Sequence, residues 1–123
     1  MGVCRVRGLI AAPPSRVWEF IIDPRNMHLW APLAEAVPGI DRPLQAGDRF
    51  TQQRKGFFRN ERQELLVEEV VPYRSVHLRV LPARGSRMTG TATVNLDEAG
   101  LGTTKIEEVL SYSLGDGPVI RWL

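Results

Sequence analysis

Strict alternation of apolar and polar side chains between Arg87 and Asp97 constrains the fold of this chain more than any other feature. One set of alternate positions carries only apolar or small residues: Met88, Gly90, Ala92, Val94 and Leu96. The other set carries threonine, asparagine and aspartate. Because successive side chains of a β-strand point to opposite faces, the pattern predicts a strand with one dry and one wet face. The chain must therefore build a sheet that buries one of its two faces.

Further strand signals recur along the chain and are separated by turn residues. The segments are Gly2 to Ile10, Val37 to Ile40, Arg49 to Arg54, Arg59 to Val71, Ser75 to Leu81 and Thr103 to Leu114. Short strands joined by turns that contain glycine or proline are typical of an antiparallel meander. With the strand from Arg87 to Asp97, the sequence predicts a sheet of about seven strands.

Helical signals appear only after the first strand and at the end of the sequence. An apolar stripe of helical spacing follows Pro13 and Pro14, and it predicts a short helix that ends near Asp23. Asp23 can cap a second short helix that Pro32 stops. Asp116 resembles the N-cap of a last helix of one or two turns, which is marginal unless it packs on the sheet or on another chain.

Length and composition exclude several classes of protein. The 123 residues fit one domain, 1–123, and 43% hydrophobic with 24% charged residues is ordinary for a globular chain. No apolar run approaches the roughly 18 to 20 residues of a membrane span, so we expect a cytoplasmic protein without an integral membrane segment. A net charge of +2 from scattered arginines gives no reason to expect nucleic acid as a partner.

Cofactor and metal motifs are absent from the sequence. Cys4 is the only cysteine, which excludes an internal disulfide and leaves no metal-ligand spacing. The glycines around Ser86 and Leu101 lack the flanking patterns of a P-loop, a dinucleotide fingerprint or a serine nucleophile elbow. We therefore expect no metal and no cofactor.

Five short motifs resemble those of one superfamily. Ile10 to Phe20 is similar to an "apolar-x-Ala-Pro-x-x-x-Val-Trp" pattern, and Asp23 with Trp30-Ala31-Pro32 is similar to the "Asp…Trp-x-Pro" stretch that follows it. Gly47 to Phe50, Val67 to Pro72 and Gly102 to Thr104 resemble "Gly-x-x-Phe", "Val-x-x-Val-x-Pro" and "Gly-Thr-Thr". In this order they resemble the polyketide cyclase/dehydrase and lipid-transport superfamily, also called START-like, SRPBCC or Bet v 1-like.

The resemblance implies an α+β helix-grip fold, in which a curved antiparallel sheet and helices enclose an apolar ligand cavity. Members of the superfamily usually close that cavity with a long C-terminal helix, of which this sequence holds only the first turns. Either the sequence is shortened or a neighbouring molecule supplies the cover, because an open apolar groove would otherwise face water. We expect a homodimer or a domain swap.

Strand parity selects the candidate pocket residues. The apolar walls would include Trp30, Phe50, Leu65, Val67, Leu78, Met88, Val94 and Leu110. The polar residues that share their face are Gln52, Arg54, Glu61, Gln63, Glu108 and Tyr112. For each apolar residue a plain core position is the alternative, since pockets and cores use the same residue types.

Glu108 and Tyr112 are the only candidates for catalysis. A carboxylate in an apolar pocket has a raised pKa and can act as a general acid or base. Four residues of strand separate the two positions by roughly 13 Å, so they cannot pair directly. The simpler alternative for Glu108 is a carboxylate that faces solvent or pairs with an arginine.

Three functions fit these observations. The first is binding of an apolar or aromatic small molecule or lipid, which needs only the cavity. The second is a cyclase, aromatase or dehydratase of polyketide type, which needs polar residues that move protons. The third is a protein-interaction module whose open groove accepts a helix from a partner.

Overall fold

Six antiparallel strands form one sheet in the part of the chain that the computed structural model describes, residues 2–30, 39–55, 60–82 and 88–114. The strands are β1 (Gly2–Ile10), β2 (Arg49–Lys55), β3 (Asn60–Val71), β4 (Ser75–Leu81), β5 (Met88–Glu98) and β6 (Thr104–Leu114). Their order across the sheet is β1-β6-β5-β4-β3-β2. The last five strands thus form the predicted meander, and β1 lies beside β6 as an edge strand.

The helical region after β1 differs in detail from the prediction. Helix α1 spans Pro14–Ile21, as the two prolines and the apolar stripe indicate. The second helical segment begins as a 3-10 turn, Pro24–Asn26, and continues as a single α-helical turn, α2, Met27–Trp30. Asp23 caps the 3-10 turn, because its carboxylate accepts a hydrogen bond of 2.9 Å from the backbone N–H of Arg25.

The expectation of seven strands is wrong by one within the described residues. The segment Val37 to Ile40 was predicted as a strand, but Gly39 has a φ of +87° and lies in a turn, and Ile40 belongs to no strand. A left-handed φ cannot continue extended backbone, so the segment cannot pair at this end. Residues 37–38 and the predicted final helix, 115–123, lie outside the described residues.

Register places the buried apolar residues of the described strands on one face, called here the inner face. Val94 of β5 lies opposite Val76 on β4 and Glu108 on β6, and Glu108 lies opposite Val6 on β1. The core on this face is formed by Phe50, Leu65, Val67, Val76, Leu78, Val80, Val94 and Leu96. The threonines of β5 lie on the other, outer face, as the alternation predicts.

Helix α1 lies on the inner face against β5. Its buried residues Val17, Trp18 and Ile21 belong to the same core cluster as the sheet residues. The Trp18 ring also contacts the ring of Tyr73 in the β3–β4 turn, with 6.2 Å between centroids. Because α1 packs on the middle of the sheet, β1 at the edge stays exposed along most of its length.

Candidate functional site

A groove of about 520 Å³ lies on the inner face between α1 and the two strands β1 and β6. Its apolar and small lining residues are Val6, Gly8, Ile10, Ala12, Val17, Phe20, Ile21 and Ile106. Three charged residues complete the lining: Arg7, Arg16 and Glu108. Ligand sites in proteins commonly measure roughly 300–1,000 Å³ and combine apolar walls with few polar groups, so this groove has the size and chemistry of a small-molecule site.

The floor of the groove is low because Gly8 has no side chain. Gly8 lies opposite Ile106 in the β1–β6 register, and a Cβ at Gly8 would meet Ile106 Cγ2 at 3.7 Å, an ordinary contact. A larger side chain at this position would therefore rise into the groove. The link from β1 to α1 is fixed by the fully buried Thr104, whose hydroxyl donates a hydrogen bond of 2.7 Å to the backbone carbonyl of Ala12.

Glu108 is a half-buried carboxylate that lines the groove. Its register neighbours are Val6 on β1 and Val94 on β5, both apolar. Among the described residues the carboxylate has no hydrogen bond and no ion pair. Burial raises the pKa of Glu108 above its ordinary value, because it removes hydration from the charged form.

Glu107, the preceding residue, shows how strongly the two faces of β6 differ. Its carboxylate lies on the outer face and accepts a hydrogen bond of 2.6 Å from Arg7 Nε. That bond lowers the pKa of Glu107, whereas desolvation raises the pKa of Glu108. Adjacent carboxyl groups on the two faces of β6 therefore have pKa values shifted in opposite directions.

Arg16 is the cation at the rim of the groove. It lies in the first turn of α1, which contains no acidic residue, and its side chain is exposed. Within the described part of the chain its guanidinium makes no ion pair. As far as the described residues show, the groove thus carries one positive charge without an ion pair at its rim and one carboxyl group in its lining.

The predicted strand residues whose side chains are described share the inner face but differ in burial. Phe50, Leu65, Val67, Leu78 and Val94 are buried in the core cluster. Glu108, Leu110 and Tyr112 are half-buried on successive inner positions of β6, and of these Glu108 lines the groove. The ring of Tyr112 lies over Gly2, where a Cβ would collide with it.

Gln63 is a buried polar residue of the predicted set. Its side chain is 7% exposed, and its amide Nε2 has no hydrogen-bond partner among the residues described. Gln52 is its backbone register partner on β2, and Arg54 is that of Glu61. The side chains of Gln52, Arg54, Glu61, Trp30 and Met88 lie outside the described set.

Most of the groove was missed at the sequence level. Val6, Gly8, Ile10, Arg16, Phe20 and Ile106 line it, and none was among the predicted pocket residues. The sequence pattern that could have identified these residues is the alternation on β1, which puts Val6 and Ile10 on the same face as Gly8. That alternation gives neither the register with β6 nor the position of α1, and both are needed to form the groove.

The described residues contain no group of three His, Cys, Asp or Glu side chains that could hold a metal ion. None of the helices in the described ranges has the length and hydropathy to span a membrane. Cys4 is an exposed free thiol on the inner face of β1.

An open antiparallel sheet with a short helix over an apolar groove defines an α+β domain consistent with the helix-grip class. The family model described as "Polyketide cyclase / dehydrase and lipid transport" matches residues 3–123. The chain belongs to this family, so the resemblance seen in the sequence is confirmed. No curated protein matched the chain.

Solved structures support the same fold. Protein DR_A0006 from Deinococcus radiodurans has 18% identity and a TM-score of 0.72, with 98% of this chain and 89% of that chain covered. Protein CV1439 from Chromobacterium violaceum has 18% identity and a TM-score of 0.68, with 98% and 87% covered. Protein Ms6760 from Mycobacterium smegmatis has 21% identity and a TM-score of 0.67, with 91% and 73% covered. At these identities the likeness shows the fold alone.

Proposed function

We propose that this protein binds an apolar small molecule or lipid in the groove between α1 and the β1–β6 edge of the sheet. The observation that carries the proposal is the groove itself: about 520 Å³, lined mainly by aliphatic and aromatic side chains. The family description names lipid transport beside cyclase and dehydrase activity, which supports a hydrophobic ligand. Leu110 and Tyr112, on the same face of β6 as Glu108, belong to the proposed site.

Exposed apolar side chains at the groove provide the driving force for ligand binding. Val6 is 59% exposed and Phe20 is 42% exposed, although both line a concave surface. A ligand that covers them removes apolar area from water, which contributes about 25 cal/mol for each Å². Covering these exposed side chains therefore favours binding.

Filling the groove tests the proposal. The Gly8→Phe variant places a ring beside Ile106, where the backbone has room for a Cβ, and should displace any ligand. We expect wild-type protein to enhance the fluorescence of the uncharged dye Nile red, and the variant to lose at least about tenfold in affinity for it. The Ser113→Phe variant is the matched control, because Ser113 is exposed on the outer face of β6.

Native mass spectrometry of freshly purified protein gives a second readout, since a bound small molecule adds its mass to the folded chain. Circular dichroism must show that Gly8→Phe stays folded. If the folded variant binds Nile red as well as the wild type does, the groove is not the binding site.

Glu108 supports a second candidate function, an enzyme of cyclase or dehydratase type. A carboxyl group with a raised pKa beside an apolar cavity can donate or accept a proton from a bound substrate. Cyclisation or dehydration of a polyketide-like substrate that survives in Glu108→Gln would exclude Glu108 as the proton-transfer group.

The proposal also includes self-association of the protein and its location in the cell. Val3 and Leu9 are exposed on edge strand β1, which supports the expected homodimer or partner-bound module. The cytoplasmic location stays a prediction. Sedimentation velocity over a wide concentration range tests the dimer, and a single monomer species throughout would exclude it.

A further inference from the structure

We infer that the ligand of this groove is an amphipathic acid: an apolar body lying along Val6, Phe20 and Ile106, and a carboxylate held at the rim by Arg16. The inference rests on the proposed function and adds the chemical class of the ligand. Its basis is the arrangement of charge around an otherwise apolar cavity.

Among the residues that the structure describes, Arg16 is the lining cation without an ion-pair partner. Arg7 also lines the groove, but its Nε donates a hydrogen bond to Glu107 on the outer face. Arg16 has no ion pair with any residue in the described ranges, and the first turn of α1 offers no acidic side chain to neutralise it. A guanidinium binds a carboxylate through two parallel N–H donors, which makes this group the natural complement of an acid.

Glu108 fixes the orientation of such a ligand. Its carboxyl group belongs to the inner-face lining between Val6 and Val94 and has no cationic partner in the described part of the chain. Where it is ionised it repels a second anion, and where it is neutral it can donate a hydrogen bond to a carbonyl or hydroxyl group. The ionised form therefore excludes the ligand's carboxylate from the position of Glu108, which leaves the rim at Arg16 for that group.

A cationic ligand is the competing class. Glu108 would attract an amine, but Arg16 at the rim opposes the entry of any cation. Binding through Arg16 therefore favours an acid, and binding through Glu108 favours an amine. Comparing the affinities of an acid and an amine of the same chain length distinguishes the two ligand classes.

The test uses decanoate, decan-1-ol and decylamine with the full chain and measures Nile red displacement. We expect decanoate to bind about fivefold tighter than decan-1-ol, because one solvent-accessible charge pair contributes a factor of this order. Arg16→Gln should remove that preference, so that decanoate binds no tighter than decan-1-ol. Arg5→Gln is the matched control, since it removes the same charge from the outer face of the same region and should change neither affinity.

The outcomes separate this inference from the proposed function. Equal affinities for decanoate and decan-1-ol in the wild type, or an undiminished preference in Arg16→Gln, would overturn the inference while the groove remains a binding site. Tightest binding of decylamine, lost in Glu108→Gln, would also overturn it, because Glu108 would then be the anchor. Failure of all three compounds and of Nile red to bind would remove the proposed function itself.

Discussion

Two adjacent carboxylates on β6 have opposite environments. Glu107 accepts a hydrogen bond from Arg7 on the outer face, whereas Glu108 lies among apolar side chains on the inner face and has no cationic partner within the described ranges. The first arrangement favours the charged form and the second disfavours it, so the pKa values of the two groups move in opposite directions. Adjacent residues of a strand point to opposite faces, and here the two faces shift the carboxyl pKa in opposite directions.

The pH dependence of stability should therefore differ in sign between substitutions at these two positions. The folded-state pKa of Glu108 lies above its ordinary value of 4.5, so the folded state binds more protons than the unfolded state in the window above that value. Stability falls as pH rises through that window. We expect Glu108→Gln to unfold at a higher temperature than wild type at pH 7, with the gain shrinking toward pH 4.

Glu107→Gln is the control, because the folded-state pKa of Glu107 is lowered. Its carboxylate contributes stability that is present at neutral pH and lost as pH falls through the folded-state pKa. Thermal unfolding from pH 3.5 to pH 8 measures both differences. A Glu108→Gln variant that is less stable than wild type at pH 7 would show that desolvation does not dominate at this site.

At the scale of elements, the β3–β4 turn carries an unusual backbone. Arg74 N donates a hydrogen bond of 3.0 Å to the carbonyl of Val71, with Pro72 and Tyr73 between them. Tyr73 has a φ of +65°, a conformation that type II turns usually give to glycine. Its ring contacts Trp18 of α1, so packing between turn and helix offsets the strain of the turn.

Comparing alanine and glycine substitutions at position 73 distinguishes the loss of ring packing from the strain of the left-handed backbone. Both Tyr73→Ala and Tyr73→Gly lose the ring contact with Trp18, but only glycine relieves the left-handed backbone. We expect Tyr73→Gly to be more stable than Tyr73→Ala by about 1 kcal/mol in urea unfolding.

Leu101 provides the control for that comparison. It is fully exposed in the β5–β6 turn and is not among the residues of positive φ. Alanine should therefore be at least as stable as glycine at position 101. An equal or reversed order at position 73 would show that its left-handed φ carries no strain.

Local periodicity explains which elements could be predicted. Alternation belongs to each strand alone, so it identified β5 and placed Phe50, Leu65 and Val94 on one face, as the structure confirms. The strand at Val37 to Ile40 was predicted from its apolar residues, although Gly39 turns the chain there.

The groove could not be predicted because it depends on non-local geometry. Its floor requires the register that sets Gly8 opposite Ile106. Its open side requires α1 to pack against β5 instead of the edge strand. The alternation on β6 correctly selected Glu108, which lines the groove. It gave no reason to expect Arg16 or Phe20 in the same site.

Across the whole molecule, burial is unequal between the two sides of the sheet. The strands β3, β4 and β5 carry most of the buried core, including Val67 and Val94, whereas β1 is exposed along nearly its whole length. Edge strand β1 is held by β6 on one side only. Local opening of β1 should therefore require less free energy than opening of the central strands.

Native-state hydrogen exchange tests both the order in which the strands open and the location of the binding site. We expect backbone amides of β1 to exchange fastest among the six strands and those of β4 and β5 slowest. A ligand in the groove binds only when β1 is closed, so at a concentration of 100 Kd it should slow exchange by local opening of β1 about a hundredfold. Local opening of β2, at the opposite edge, leaves the groove intact and should keep its rate. Ligand protection of β2 equal to that of β1 would mean that binding is not confined to the groove.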